Sequence, residues 1–86
     1  MYRILYEKGT KKDLDKIPNA DVEKIWKAID GLAVDPMPFG HKKLSGKWGL
    51  YRIRQGDYRI VYRIVHKERT LAIVYIGRRD KAYRDL

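Results

Sequence analysis

Three consecutive segments in the second half of the chain follow the period of β-strands, and they constrain the fold more than any other feature. Leu50–Arg54 and Tyr58–Val65 both alternate, and Gln55-Gly56-Asp57 between them is typical of a hairpin turn. His66–Arg69 separates the second segment from Leu71–Ile76, whose nearly continuous apolar run is typical of a strand covered on both faces. Because connections this short join antiparallel neighbours, we predict a three-stranded antiparallel meander.

The first half of the chain predicts one strand and two helices. Tyr2–Tyr6 alternates as a short strand, and Thr10–Lys16 is predicted to form a first helix. A second helix begins after Asn19 or Asp21 as the N-cap and ends at Asp35-Pro36. Its apolar stripe, at three- and four-residue spacing, consists of Val22, Ile25, Ile29 and Leu32. Since such a stripe must be buried, we expect the two-helix hairpin to cover one face of the sheet.

The element order is therefore β-α-α-β-β-β, which is typical of a single α+β domain over residues 1–86. The N-terminal strand is expected to join the same sheet as the meander. Met37–Gly49 is rich in Pro, Gly and Lys and is predicted as a loop. The charged tail Arg78–Leu86 is predicted to form a short C-terminal helix.

Four aromatic side chains are predicted to pack inside the domain. Tyr58 and Tyr62 lie on the apolar face of their alternating strand, so we expect them to face the helices. Trp26 and Trp48 are large apolar residues and are also predicted to be packing residues.

Positive charge is concentrated in the second half of the chain. The formal net charge is +9, from 20 Lys and Arg against 11 Asp and Glu. Residues 1–40 contain seven basic and seven acidic side chains, whereas residues 41–86 contain thirteen basic and four acidic ones. This asymmetry predicts a polyanionic partner for one face of the meander, and it favours RNA.

Several arginines of the meander are predicted to converge. Arg52 and Arg54 lie two residues apart, so they share one face of their strand, and Arg59 follows just after the hairpin turn. Arg79 and Tyr83 follow the last strand, where the tail can fold back onto this cluster. Arginine suits a phosphate because its planar fork binds two oxygens and keeps its charge.

The usual catalytic motifs are missing from the chain. The absence of cysteine excludes a disulfide framework and a thiolate metal site. His41 and His66 lie outside any ligand or general-base motif, and Gly46 and Gly49 fit neither dinucleotide-binding nor P-loop spacing. Phosphate chemistry here would rely on positioning and electrostatics, with no cofactor or metal implied. Lacking cysteine, signal peptide and membrane helix, the chain is expected to be cytoplasmic.

The strands and their connections carry a distinctive combination of residues. Lys43-Leu44-Ser45-Gly46 is followed by Leu50-Tyr51-Arg52-Ile53-Arg54 and by Gly56-Asp57-Tyr58-Arg59-Ile60-Val61-Tyr62. The last strand leads into Ile76-Gly77-Arg78-Arg79-Asp80-Lys81-Ala82-Tyr83-Arg84. This combination, spread over nearly the whole chain, resembles the RelE/ParE toxin superfamily, and its RelE-type members in particular.

The resemblance implies a RelE-like fold and a toxin of a type II toxin–antitoxin system. RelE-type members enter the ribosomal A site and cut mRNA without a metal ion, by attack of the ribose 2′-OH on the adjacent phosphate. By resemblance, Arg59 and Arg79 would stabilise the phosphate, and Tyr83 would orient the base or take part in proton transfer. Arg52 and Arg54 complete the implied catalytic set. The surrounding cations implied to bind RNA are Lys42, Lys43, Lys47, Arg63, Arg78 and Arg84.

Two departures from the RelE-type pattern leave the general base unassigned. Arg52 and Arg54 stand where RelE-type members often carry Lys, one of which is a candidate base in that family. Arginine, with a pKa above about 12, is a poor proton acceptor. Arg78 stands where related sequences often carry His. We therefore expect either that charge stabilisation dominates catalysis or that cleavage is slower than in RelE-type members with these residues.

The resemblance also implies partners and leaves alternatives open. A toxin that is monomeric alone would form a hetero-oligomer with a RelB-like antitoxin, and its target would be the ribosome and mRNA. One alternative is a ParE-type toxin, with the same fold and DNA gyrase as target; another is a catalytically weak RNA-binding toxin homologue. Arg59, Arg79 and Tyr83 together favour the RelE type, since ParE-type members tend to lack the tail tyrosine and the full basic cluster.

Overall fold

The computed structural model describes residues 1–46 and 48–78 of the chain. The predicted tail helix, Arg78–Leu86, lies outside the described residues apart from Arg78 itself. None of the helices in the described ranges is long and apolar enough to cross a membrane. The elements are β1 (Arg3–Tyr6), α1 (Thr10–Asp15), α2 (Asn19–Val34), β2 (Lys42–Ser45), β3 (Leu50–Gln55), β4 (Tyr58–Val65), a 3-10 turn (His66–Glu68) and β5 (Thr70–Arg78).

The five strands form one sheet in the order β1-β5-β4-β3-β2. The meander β3-β4-β5 is antiparallel, as predicted, and β1 joins the same sheet by pairing in parallel with β5. Ile4 lies opposite Leu71 in that parallel pair. The N-terminal strand thus reaches the last of the described strands, which places the start of α1 beside β5.

The strand β2 was not predicted, because its residues fell within the expected Met37–Gly49 loop. Lys42 pairs with Arg52 and Lys43 with Tyr51, and a β-bulge follows before Ser45. Four residues that begin with two lysines carry no alternation signal. Short, lysine-bearing strands are typical of sheet edges, where charge discourages pairing with other chains.

The helices cover one face of the sheet, as the apolar stripe of α2 predicts. Ile25 and Ile29 are fully buried, and Leu14 and Ile17, from α1 and its following turn, belong to the same buried cluster. Tyr62 is also fully buried, and its hydroxyl donates a hydrogen bond to the Pro36 carbonyl at 2.7 Å. Burying apolar side chains at roughly 25 cal/mol per Å² is the main force that holds the helix layer on the sheet.

Two burial predictions are wrong in part. Trp48 is 61% exposed in the turn before β3, and Trp26 is 40% exposed, with its ring edge against Tyr6. Strand β5 is buried through Leu71, Ile73 and Ile76, whereas Ala72, Val74 and Tyr75 are only partly buried. The apolar run of β5 is therefore fully covered on its helix side alone. The continuous apolar run of β5 led us to predict burial on both faces. A run of apolar residues does not indicate which face of a strand the helices cover.

Candidate nucleic-acid interface

In the described part of the chain, the arginines of β3 and the two arginines of β4 lie on the sheet face opposite the helices. The register of β3 and β4 pairs Arg54 directly with Arg59. Arg52 pairs with Val61, which lies between Arg59 and Arg63 in the alternation of β4. The predicted convergence of Arg52, Arg54 and Arg59 on one face is confirmed by this register. We call this surface, defined by Arg52, Arg54, Arg59 and Arg63, the arginine face.

Arg54 and Arg59 lie directly opposite each other on the arginine face. Arg54 is exposed and Arg59 is partly buried. Like charges directly opposite each other across two strands are destabilising. Because an anion bound between two arginine side chains offsets such repulsion, opposed arginines are suited to a phosphate.

Arg52 occupies the arginine face but is almost completely buried. Only 6% of the residue is exposed, and NH1 donates a hydrogen bond to the Gly40 carbonyl at 3.1 Å. Its Nε is also buried and has no hydrogen-bond partner among the described residues. The guanidinium therefore holds the chain segment before β2 in place, and it presents little surface to a ligand.

Arg63 is paired with a carboxylate that sequence patterns did not single out. Its NH1 lies 2.7 Å from Glu7 Oε2, and both side chains are more than one-third exposed. Glu7 follows β1, where its backbone N–H donates to the Ile73 carbonyl. The small Ala72 lies beside Arg63 in the register and leaves room for this contact across β5. The alternation of Arg3, Leu5 and Glu7 is the signal that would have assigned Glu7 to this face.

Gly77, near the end of β5, lies close to the side chain of Tyr75. It pairs with Arg59, and a Cβ added at this position would overlap the Tyr75 side chain, so a larger residue would require the Tyr75 ring to move. Burial, reinforced by the Asp13 carboxylate, raises the pKa of Tyr75. Its phenol therefore stays a hydrogen-bond donor at neutral pH. Asp13, Tyr75 and Gly77 line a cavity of about 600 Å³ at the end of β5.

The other predicted catalytic and RNA-binding residues divide into three groups. Lys42 is exposed and pairs with Arg52, so it lies on the arginine face, whereas Lys43 pairs with Tyr51 and lies on the other side of the sheet edge. Arg78 is exposed but pairs with Tyr58, which places it on the helix side. The remaining predicted residues lie outside the described residues; these are Lys47, Arg79, Tyr83 and Arg84.

Both histidines make structural contacts. His41 Nδ1 lies 2.8 Å from the Pro38 carbonyl, to which it donates, and His66 Nδ1 shares a hydrogen bond with the Tyr2 hydroxyl at 3.0 Å. Among residues 1–46 and 48–78, no group of three or more His, Asp or Glu side chains is arranged to hold a metal ion. The described part of the site offers mainly guanidinium and ammonium groups, together with the Tyr75 phenol and the Glu7 and Asp13 carboxylates.

Comparison with known proteins assigns the chain to a family. A family model described as the ParE toxin of type II toxin–antitoxin systems, parDE, matches residues 4–83. The chain belongs to the RelE/ParE toxin superfamily. It is 31% identical to the putative toxin RelE1 of Methanocaldococcus jannaschii, over 98% of this chain and 97% of that protein. It is 29% identical to the toxin RelE of Mycobacterium tuberculosis, over 96% of this chain and 87% of that protein.

Solved structures agree with this assignment. The archaeal RelE–RelB complex from Pyrococcus horikoshii superimposes with a TM-score of 0.82 at 32% identity, over 94% of this chain and 98% of that chain. The isolated RelE toxin of E. coli gives a TM-score of 0.80 at 19% identity, over 96% of this chain and 89% of that chain. The predicted RelE-like α+β fold and the predicted membership of a type II toxin family are both confirmed.

Proposed function

We propose that this RelE-family toxin is a ribosome-dependent endoribonuclease that cleaves mRNA in the ribosomal A site. The observation that carries the proposal is the direct pairing of Arg54 with Arg59 on the arginine face. Two arginines at directly opposed positions can direct their guanidinium groups to one phosphate of an RNA strand. The relatives named RelE toxins support the same assignment.

The proposed reaction is a transesterification within the RNA strand. The 2′-oxygen forms a bond to the adjacent phosphorus while the bond from phosphorus to the 5′-oxygen breaks. The 2′-OH loses its proton to a base, and the departing 5′-oxygen gains one, leaving a 2′,3′-cyclic phosphate and a 5′-OH. Arg54 and Arg59 would hold the non-bridging oxygens as negative charge develops on them. By family resemblance, Arg79 would assist them and Tyr83 would orient the base or move a proton.

Electrostatic stabilisation is proposed as the main catalytic contribution. Arginine is a poor proton acceptor, so Arg54 is proposed to stabilise charge and not to serve as the base. Arg52 is proposed to contribute indirectly, since its guanidinium is buried against Gly40. Removal of one preorganised charge-stabilising donor lowers rates by about 10²–10³ in enzymes that work this way.

The proposed protein partner is a RelB-like antitoxin. The P. horikoshii relative, at 32% identity, was solved as a RelE–RelB complex. An antitoxin segment that is acidic or amphipathic would complement the arginine face or displace the tail of the toxin. Neutralisation would then consist of excluding RNA from Arg54 and Arg59.

Primer extension on translating ribosomes tests the proposed activity. Wild-type toxin is expected to give new 5′ ends in ribosome-bound mRNA, and Arg59→Ala is expected to reduce that cleavage by about 100-fold or more. Lys27→Ala is the matched control, because it removes one positive charge from exposed helix surface. If mRNA stays intact and DNA gyrase is inhibited, the proposal is wrong and the ParE-type alternative holds. That alternative is tested because the matching family model is described as a ParE toxin. RNA binding without cleavage would indicate a catalytically weak homologue.

A further inference from the structure

Residues 35–41, which join α2 to β2, present an exposed phenylalanine. We call this segment, Asp35-Pro36-Met37-Pro38-Phe39-Gly40-His41, the proline loop. Phe39 is 107% exposed, as much as in an isolated extended chain, and Met37 is 39% exposed. A phenylalanine in full contact with water contributes nothing to the core, so its position is not explained by folding.

The backbone of the proline loop is held by its own hydrogen bonds. The Met37 N–H donates to Asp35 Oδ1 at 3.1 Å, and the His41 N–H and Nδ1 both approach the Pro38 carbonyl, at 3.0 and 2.8 Å. The prolines at 36 and 38 also fix φ at two of the seven positions. Phe39 is therefore carried on a segment with little conformational freedom.

Two buried side chains attach the proline loop to the sheet. The Tyr62 hydroxyl donates to the Pro36 carbonyl at 2.7 Å from the helix side of β4, and Arg52 NH1 donates to the Gly40 carbonyl at 3.1 Å. Tyr62 is fully buried and Arg52 is 6% exposed. A loop that is fixed at both ends loses little conformational entropy when a partner binds. An exposed side chain on such a loop can therefore contribute more to binding affinity.

The residues that follow Phe39 along the chain indicate which kind of partner it contacts. The loop runs directly into Lys42 and Lys43, which are both exposed, and Lys42 lies on the arginine face through its pairing with Arg52. A flat aromatic ring beside cations is the combination that proteins use to bind single-stranded nucleic acid, with bases stacked on the ring and phosphates held by charge. A protein partner of the usual kind would favour an apolar surface with fewer lysines.

We propose that Phe39 stacks on an unpaired base of the same RNA strand whose phosphate is bound at Arg54 and Arg59. Arg52, which holds the loop, lies two residues from Arg54 on β3, a separation of about 7 Å along the strand. The inference rests on the proposed RNA substrate and adds a base contact beyond the arginine pair. It makes the proline loop a determinant of which flanking nucleotides are bound well, since larger bases stack more strongly.

Substitutions at position 39 separate stacking from simple hydrophobicity. The measurement is the affinity for a short single-stranded RNA that is 2′-O-methylated against cleavage, followed by fluorescence anisotropy over a range of salt concentrations. Phe39→Ala and Phe39→Leu are expected to weaken binding by about 10-fold, a stacking contact of about 1.4 kcal/mol, whereas Phe39→Trp retains it. The salt dependence is expected to stay unchanged because no charge is removed. Val34→Ala, at another exposed apolar side chain, is the control.

Two outcomes would overturn the inference without touching the proposed activity. One is wild-type affinity in Phe39→Leu, which would show that RNA binding does not require an aromatic ring at this position. The other is wild-type affinity in all three variants while Arg59→Ala abolishes cleavage. A photoreactive benzoylphenylalanine at position 39 provides a second readout on translating ribosomes: crosslinks to mRNA support the inference, and crosslinks only to ribosomal RNA, antitoxin or a second toxin copy contradict it.

Discussion

Glu7 reduces the positive charge of the arginine face at Arg63, with which its carboxylate forms an ion pair. Glu7→Gln keeps an oxygen that can accept from Arg63 and removes the negative charge. We expect the free energy of unfolding to change by less than about 1 kcal/mol, because exposed ion pairs contribute little. RNA affinity at low salt should rise, and the log–log salt slope should steepen by about 0.7 if Arg63 gains one phosphate contact.

The control for this prediction is Glu23→Gln on the exposed surface of α2, which changes the net charge equally. RNA titrations of the two variants, followed by fluorescence anisotropy, distinguish a specific Arg63 contact from an effect of net charge. If both variants tighten binding to the same degree, the effect is one of net charge, and Arg63 gains no contact of its own.

Single residues differ in how far the sequence predicts their position. Arg54 and Arg59 could be assigned to one face because alternation is a local property of a strand and the hairpin turn sets the register. The burial of Arg52 could not, because it depends on a carbonyl at Gly40, in a loop with no pattern of its own. The contact of Glu7 with Arg63 required the parallel pairing of β1 with β5, which joins opposite ends of the chain.

At the scale of elements, the proline loop depends on β4 through the Tyr62 hydroxyl. Tyr62→Phe removes the hydrogen bond to the Pro36 carbonyl, and we expect it to lower the free energy of unfolding by about 1 kcal/mol at neutral pH. Burial, with smaller contributions from Tyr51 and Asp35 and an opposing one from Arg52, raises the pKa of Tyr62 well above its usual value.

The sign of the pH dependence follows from that raised pKa. Above about pH 10 the unfolded chain releases the Tyr62 proton while the folded chain retains it, so the free energy of unfolding falls as pH rises. Urea unfolding at neutral and alkaline pH is therefore expected to show a smaller alkaline loss in Tyr62→Phe than in the wild type. An equal loss in both proteins would mean that other groups account for it.

The elements themselves were predictable where their signals are local. The α2 stripe and the strands β3 and β4 follow periods that can be read within ten residues, and the structure places them at nearly the same bounds. Strand β2 was missed because four edge residues with two lysines carry no period, and they become a strand only by pairing with β3. Propensity is overridden there by tertiary context.

At the scale of the whole molecule, the charge asymmetry of the chain becomes a difference between its two sheet faces. Arg54 and Arg59 lie opposite the helix layer, whose exposed surface carries Lys24 and Lys27 on α2. The double variants Arg54→Gln/Arg59→Gln and Lys24→Gln/Lys27→Gln lower the net charge equally. If phosphates bind at the arginine face, only the first pair should reduce the log–log salt slope of RNA binding, by about 1.4 for two contacts on single-stranded RNA. Equal reductions would mean that RNA is attracted by net charge alone, and the arginine face would then have no special role in binding.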